Sequence, residues 1–145
     1  MKKSTFLIVG KHAVLEALKN PSRKIERVFL TEDAQKKLNK ENQSLKCKFP
    51  VRERYFNPLP TTLGGIIDSW IDITMGPLSV LLGQKSVSRN FSIKYIKPVG
   101  PSTSYVTAVA WRESIDGRNS VFKGELYLDN GELAAIAESE LVEIK

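Results

Sequence analysis

One long apolar segment most restricts the folds open to this 145-residue chain. The segment from Leu63 to Leu82 is apolar over nearly its whole length, and its length and pattern predict a single long helix. Asp68 and Asp72 lie four residues apart within it and therefore share one helix face. Two carboxylates near the middle argue against a membrane-spanning helix. Gly76-Pro77 is expected to bend the helix or to end it early.

Only strand patterns follow this helix. Asp116-Gly117 and Asn130-Gly131 are strong hairpin signals, because a type I′ turn needs positive φ at both central residues. A further half-exposed strand, Leu45–Arg54, alternates basic and apolar residues before the helix. The strands predicted after the helix are Ser86–Lys97, Tyr105–Arg112, Ser120–Leu128 and Glu132–Ile144. An antiparallel sheet of these strands must cover the one long helix, so the sequence predicts an α+β fold.

The positive charge of the chain is concentrated in its first third. Residues 1–48 hold 12 of the 22 Lys and Arg residues but 5 of the 16 Asp and Glu residues, whereas residues 49–145 hold 10 and 11. Residues 1–43 predict a basic β-α-β-α segment, and residues 44–145 a separate domain with the helix and the sheet. Basic residues favour RNA as a partner, but the lysine-rich helix predicted at 31–43 lacks interleaved aromatic residues for base stacking. RNA binding is therefore kept as an alternative.

Cysteine content and the start of the chain bear on its compartment. Cys47 is the one cysteine, which excludes an internal disulfide and a cysteine-based zinc site and favours a reducing compartment. The apolar segment after Met1-Lys2-Lys3 is too short for a secretory signal. We therefore expect a cytoplasmic protein that does not act at a membrane and needs no metal.

Residues around the long helix have a recognisable spacing. Asn57-Pro58 precedes Gly64-Gly65, Asp72 lies seven residues after Gly65, and Ser88 and the segment Ile93–Pro98 follow. This spacing resembles that of the PaaI-type hotdog thioesterases over residues 44–145. The resemblance implies a hotdog fold, in which a curved antiparallel sheet wraps one long helix. It also implies hydrolysis of acyl-CoA-like thioesters and a homodimer or homotetramer with shared active sites. CoA would be part of the substrate, and no cofactor is expected.

The resemblance assigns catalytic roles to four residues. Asp72 would act as general base or nucleophile, and the backbone N–H of Gly65 would polarise the thioester carbonyl. Asn57 would position water or the carbonyl, and Ser88 would reach the site from the partner subunit. Physical chemistry favours these roles, because a helix start offers free N–H donors to a developing oxyanion. A carboxylate two turns into an otherwise buried helix is also suited to base chemistry by desolvation.

Further residues are expected to bind substrate. Gly64 and Leu63 flank the expected carbonyl site, and Arg89 and Arg118 are expected to meet CoA phosphates. Leu63 stands where the family often has His or Gln, which leaves open a hotdog that binds acyl-CoA without turning it over. Asp68 needs no function, because the helix dipole favours an acid near a helix start.

The first part of the chain resembles a different family. Ile8–Leu18 and Lys24–Leu30 resemble the start of the SpoU RNA methyltransferase substrate-binding domain. This resemblance covers residues 1–43, about half of such a domain, and the domain that binds S-adenosylmethionine has no counterpart. We therefore expect no methyltransferase activity from this segment.

Overall fold

The computed structural model describes residues 43–144. The predicted β-α-β-α segment therefore lies outside the described residues, apart from Gln43, and the boundary at 43/44 stays a prediction. A short 3₁₀ helix at Glu53–Tyr55 follows the first strand. The other elements are β1 (Ser44–Pro50), α1 (Gly64–Leu81), β2 (Ser86–Tyr95), β3 (Tyr105–Asp116), β4 (Asn119–Leu128) and β5 (Leu133–Glu143).

The five strands form one antiparallel sheet in the order β1-β3-β4-β5-β2. β1 and β2 are therefore its two edges, and α1 packs across one face. This confirms the predicted α+β class with one helix against an antiparallel sheet. No helix within residues 43–144 is long and apolar enough to cross a membrane.

The core lies between α1 and the inner face of the sheet. The buried side chains of α1 recur at spacings of three and four, which is the pattern of a helix with one buried face. They are Ile67, Trp70, Ile71, Thr74, Met75, Leu78 and Ser79. Small residues of the sheet face this stripe, and a Cβ at Gly124 would lie only 2.5 Å from Ile71 Cγ2 and 2.9 Å from Met75 Cε. Glycine at this position lets the helix lie close to β4.

The expectation that Pro77 ends α1 early is wrong, since the helix continues to Leu81. The alternative of a bend at this position stays a prediction. The last turn is held by burial, since Leu78 and Ser79 have no exposed surface. Ser79 Oγ also donates to the carbonyl of Gly76 at 2.8 Å. Packing of this turn thus offsets the cost of an interior proline, which is about 3 kcal/mol.

Both hairpins occur at the predicted positions, but neither is a type I′ turn. Asp116 pairs with Asn119, so Gly117 and Arg118 are the central turn residues, and only Gly117 has positive φ. In the second hairpin Gly131 has positive φ and donates its N–H to the carbonyl of Leu128 at 3.0 Å. The strand predicted at Leu45–Arg54 is shorter than expected, because it ends at Pro50.

Candidate active site

α1 begins with two glycines whose N–H groups point away from the helix body. Ile66 and Ile67 donate their N–H groups to the carbonyl of Leu63 at 3.0 and 3.3 Å. No acceptor within residues 43–144 pairs with the N–H of Gly64 or Gly65. Gly65 is exposed, and a Cβ built there would meet nothing within 4 Å. The helix start is therefore an open donor site with the positive end of the helix dipole behind it.

The loop before α1 is fixed by the side chain of Asn57. Its Oδ1 accepts from the N–H groups of Leu59 and Thr61 at 2.9 and 3.2 Å, and its Nδ2 donates to Thr61 Oγ1 at 2.9 Å. The N–H of Leu63 donates to the carbonyl of Tyr55 at 2.9 Å, which anchors the helix start to this loop. Asn57 thus shapes the loop as an Asx turn. Its predicted contact with water or a carbonyl stays a prediction.

Asp72 lies two turns along α1 and contacts Ser88 on β2. Ser88 Oγ donates to Asp72 Oδ1 at 3.0 Å within the same chain. The contact that the resemblance implied for Ser88 of a partner subunit stays a prediction. Asp72 is exposed in the single chain, so its expected burial stays a prediction. The reason for the exposure is its position on the flank of α1, beside the stripe that packs on the sheet.

A second hydroxyl–carboxylate pair lies next to the first one. Tyr95 Oη donates to Asp68 Oδ1 at 2.6 Å. The ring also covers Gly64, where a Cβ would lie 2.8 Å from Oη. Burial, the hydrogen bond to Asp68 and the negative charge of that carboxylate raise the pKa of Tyr95 to about 12. The phenol of Tyr95 therefore keeps its proton at neutral pH. The sequence had indicated no function for Asp68.

A β-bulge lets both hydroxyls reach the helix. Ser88 and Tyr95 are seven residues apart, and in a regular strand an odd spacing places side chains on opposite faces. The register of β2 against β5 shifts between Ser88 and Asn90, so Arg89 has no partner on β5. This extra residue changes the alternation and brings Ser88 and Tyr95 to the same side. No local sequence signal identified the bulge in advance.

The other expected substrate-binding residues do not join this group of contacts. Arg89 is exposed at the bulge. Arg118 donates from Nε and Nη2 to the carbonyl of Glu143 at 3.2 and 2.7 Å, near the start of β2 and away from Gly65. Leu63 is 47% exposed and brings no polar group to the helix start. In residues 43–144 no three His, Cys, Asp or Glu side chains come together as metal ligands. The predicted contacts of both arginines with CoA phosphates stay predictions.

Solved structures share this fold. The Escherichia coli PaaI protein from the phenylacetic acid degradation operon is 16% identical with a TM-score of 0.68, covering 72% of this chain and 75% of that chain. A hypothetical thioesterase from Streptococcus pneumoniae, solved with coenzyme A, is 16% identical with a TM-score of 0.67, covering 71% and 80%. A Bacillus halodurans protein solved with CoA is 27% identical with a TM-score of 0.64, covering 68% and 66%. Residues 43–144 form a hotdog fold.

The sequence family described as RNA 2'-O ribose methyltransferase substrate binding matches residues 7–53. This agrees with the resemblance predicted for the first part of the chain. The match also extends past the predicted boundary at 43/44 and includes β1 of the hotdog sheet. No curated protein matches the chain.

Burial of Tyr95 and its contact with Asp68 together predict an unusual alkaline titration. Tyr95 should ionise near pH 12 instead of near 10. Because its pKa is raised in the folded state, its contribution to stability is complete below about pH 10 and is lost as the pH rises toward 12. Asp68→Asn removes the carboxylate charge and should lower the pKa of Tyr95.

The pKa of Tyr95 is measured from phenolate absorbance as the pH is raised. The titration is recorded for the wild type and for Asp68→Asn, each with and without Tyr95→Phe, and the difference within each pair gives the signal of Tyr95. Tyr127 is an internal control, because its pKa is raised to about 12 by a hydrogen bond to Glu125, by burial and by that carboxylate's charge. Asp68→Asn should leave Tyr127 unchanged. An unaltered titration of Tyr95 in that variant would contradict the assigned cause.

Proposed function

We propose that the hotdog domain hydrolyses acyl-CoA-like thioesters at the start of α1. The observation that carries this proposal is the combination of the open N–H group of Gly65 with the Ser88-bound carboxylate of Asp72 on the same helix. CoA bound in two structures of the same fold supports the substrate class. Arg89 and Arg118 are the proposed contacts for the charged end of CoA.

The spacing along α1 favours water as the attacking group. Seven residues separate Gly65 from Asp72, a rise of about 10 Å, and helical side chains lean toward the helix start. The gap between the carboxylate and the Gly65 N–H therefore accommodates a thioester carbon and a water molecule. Ser88 occupies Oδ1 of Asp72, which leaves Oδ2 to accept a proton from that water.

In the proposed reaction the carbonyl oxygen accepts a hydrogen bond from Gly65, and water attacks the carbonyl carbon. The developing negative charge lies against the positive end of the helix dipole. The C–S bond then breaks, the proton held by Asp72 goes to the leaving sulfur, and the products are a carboxylic acid and the CoA thiol.

A second copy of the chain is proposed to cover the face of α1 that carries Asp72. Asp72, Gly76 and Val80 follow at intervals of four and share this face. Val80 and Leu81 are 46% and 45% exposed, and Val87 on the adjacent β2 is 47% exposed. Burial of these apolar side chains by a partner would also take Asp72 out of water, which single-chain folding does not do. A homodimer or a homotetramer would both provide this contact.

Asp72→Asn tests the proposed base. It keeps the shape of the side chain but cannot take up the proton, so kcat should fall about 100-fold or more with a smaller change in KM. The measurement is steady-state hydrolysis of a panel of acyl-CoA thioesters. Asp116→Asn is the matched control, because Asp116 is exposed in the β3–β4 hairpin.

Two results would contradict this assignment in different ways. Full activity of Asp72→Asn would remove Asp72 from the chemistry. A wild-type protein that binds acyl-CoA but hydrolyses none of the panel would instead support the non-catalytic alternative, which the apolar Leu63 favours.

Val80→Glu tests the proposed partner contact. A charge in an apolar interface is costly without a partner, so this variant should shift the protein toward a monomer and lower its activity. Light scattering coupled to gel filtration measures the molar mass of the wild-type protein and of the Val80→Glu variant. Ile115→Glu is the control, because Ile115 is 53% exposed at the far end of β3. A wild-type monomer with full activity would exclude a shared site.

A second candidate function, RNA binding, is favoured by the match of residues 7–53 to a substrate-binding family of RNA methyltransferases. Lys46 and Lys48 lie inside this match and are exposed on β1. Replacing both with Ala should weaken RNA binding by the full chain and flatten its salt dependence between about 50 and 200 mM. Replacing Lys85 and Lys94, which are exposed outside the match, should not do so. RNA binding would be contradicted as a function if the two double substitutions weakened binding equally. It would also be contradicted if the affinity for RNA did not change with salt concentration.

A further inference from the structure

The hydrogen bond between Tyr95 and Asp68 has a fixed direction. A carboxylate only accepts hydrogen bonds, so the phenolic hydrogen of Tyr95 points at Asp68 Oδ1, 2.6 Å from Oη. Tyr95 Oη therefore presents only its lone pairs to any other group that approaches. Tyr95 is 49% exposed, so a ligand at the helix start can reach it. The pair thus makes Tyr95 an acceptor, whereas a free phenol can both donate and accept.

This acceptor lies beside the donor that is proposed to hold the thioester carbonyl. A Cβ at Gly64 would lie 2.8 Å from Tyr95 Oη. Standard bond lengths then place Oη within about 7 Å of the nitrogen of Gly65. A hydroxyl on the second or third carbon of an acyl chain lies about one hydrogen-bond length from the carbonyl oxygen of the same chain. One short acyl group therefore spans from the Gly65 N–H to Tyr95.

A plain thioester does not satisfy both groups. Its carbonyl oxygen accepts from Gly65 but has no hydrogen to give to Tyr95, and two acceptors placed close together repel each other. An acyl chain with a hydroxyl near the carbonyl provides the missing hydrogen. A site built to accept such a hydrogen favours the substrate that carries it.

We propose that Tyr95, oriented by Asp68, is a specificity-determining residue that accepts a hydrogen bond from a hydroxyl near the thioester carbonyl, so that hydroxyacyl thioesters are the preferred substrates. This inference rests on the proposed function and adds a substrate class to it. Asp68 acts through Tyr95 and is a positioning residue.

The test compares 3-hydroxybutyryl-CoA with butyryl-CoA, which differ by one hydroxyl. The wild-type protein should favour the hydroxylated thioester by about tenfold in kcat/KM, the size of one partly exposed hydrogen bond. Tyr95→Phe keeps the ring over Gly64 and removes the oxygen, so the ratio of the two substrates should fall toward one. Tyr127→Phe is the matched control, because Tyr127 also donates to a carboxylate, that of Glu125, but on β4. The control should keep the ratio of the wild type.

Asp68→Ala gives a readout that a purely structural role would not produce. Without the carboxylate, the phenolic hydrogen of Tyr95 is free to point at the substrate, so Tyr95 can donate as well as accept. The preference for 3-hydroxybutyryl-CoA over 3-oxobutyryl-CoA, which carries an acceptor at the same carbon, should then fall. Thermal unfolding of each variant identifies any that fail to fold.

Binding separates this inference from the proposed hydrolysis. In an Asp72→Asn background, calorimetry should still give tighter binding of 3-hydroxybutyryl-CoA than of butyryl-CoA, even where no thioester is turned over. A wild-type ratio near one would overturn the inference, and so would a ratio that Tyr95→Phe leaves unchanged. An equal loss of kcat/KM on both substrates in Tyr95→Phe would indicate that the phenol contacts the CoA part of the substrate, and this result would also overturn the inference.

Discussion

The close approach of α1 to the inner face of the sheet determines where the two hydroxyl–carboxylate pairs lie. At Gly124 there is no room for even a methyl group, since a Cβ would lie 2.5 Å from Ile71. Because the helix lies this close to the centre of the sheet, its flank comes within hydrogen-bond distance of the edge strand β2. Ser88 and Tyr95 can therefore reach Asp72 and Asp68 directly. A larger residue at position 124 would lift the helix and separate both pairs.

The two hydroxyls of β2 also make two neighbouring carboxylates tolerable on one helix face. Like charges four residues apart on a helix repel each other. Here each carboxylate accepts one hydrogen bond from β2, and both lie in the half of α1 nearer its positive end. The two pairs differ in what they leave open. Ser88 is small and leaves one oxygen of Asp72 accessible, whereas the Tyr95 ring covers the adjacent Gly64. This difference is the basis for proposing a reactive position at Asp72 and a recognition position at Tyr95 along the same helix.

Features with a local sequence signal were predictable, and features that depend on distant contacts were not. The long helix, the strands and both hairpin positions follow from apolar periodicity and from glycine-containing turns. The continuation of α1 past Pro77 depends on burial of Leu78 against the sheet, which no local pattern reveals. The bulge at Arg89 depends on the register between β2 and β5. The sequence resemblance therefore assigned Asp72 and Ser88 to one site but not to a contact within one chain, and it gave no role to Tyr95.

The exposure of Asp72 shows a different limit. Its place on α1 follows from the sequence, but its environment depends on what covers that flank of the helix. In a single chain this flank of α1 carries two exposed side chains, those of Asp72 and Val80. A pattern of apolar residues indicates burial without indicating whether the same chain or a second copy provides it.

The two candidate functions lie at opposite edges of one sheet. β2, at one edge, carries Ser88 and Tyr95, whereas β1, at the other edge, belongs to the segment that matches the RNA methyltransferase substrate-binding family. β1 is not a detachable linker, because all seven of its residues pair with β3 and Leu45 is buried in the core. The matched segment therefore enters the hotdog sheet itself. A partner held along β1 would leave β2 and the start of α1 free, so the two proposed functions, RNA binding and thioester hydrolysis, would not compete for the same surface.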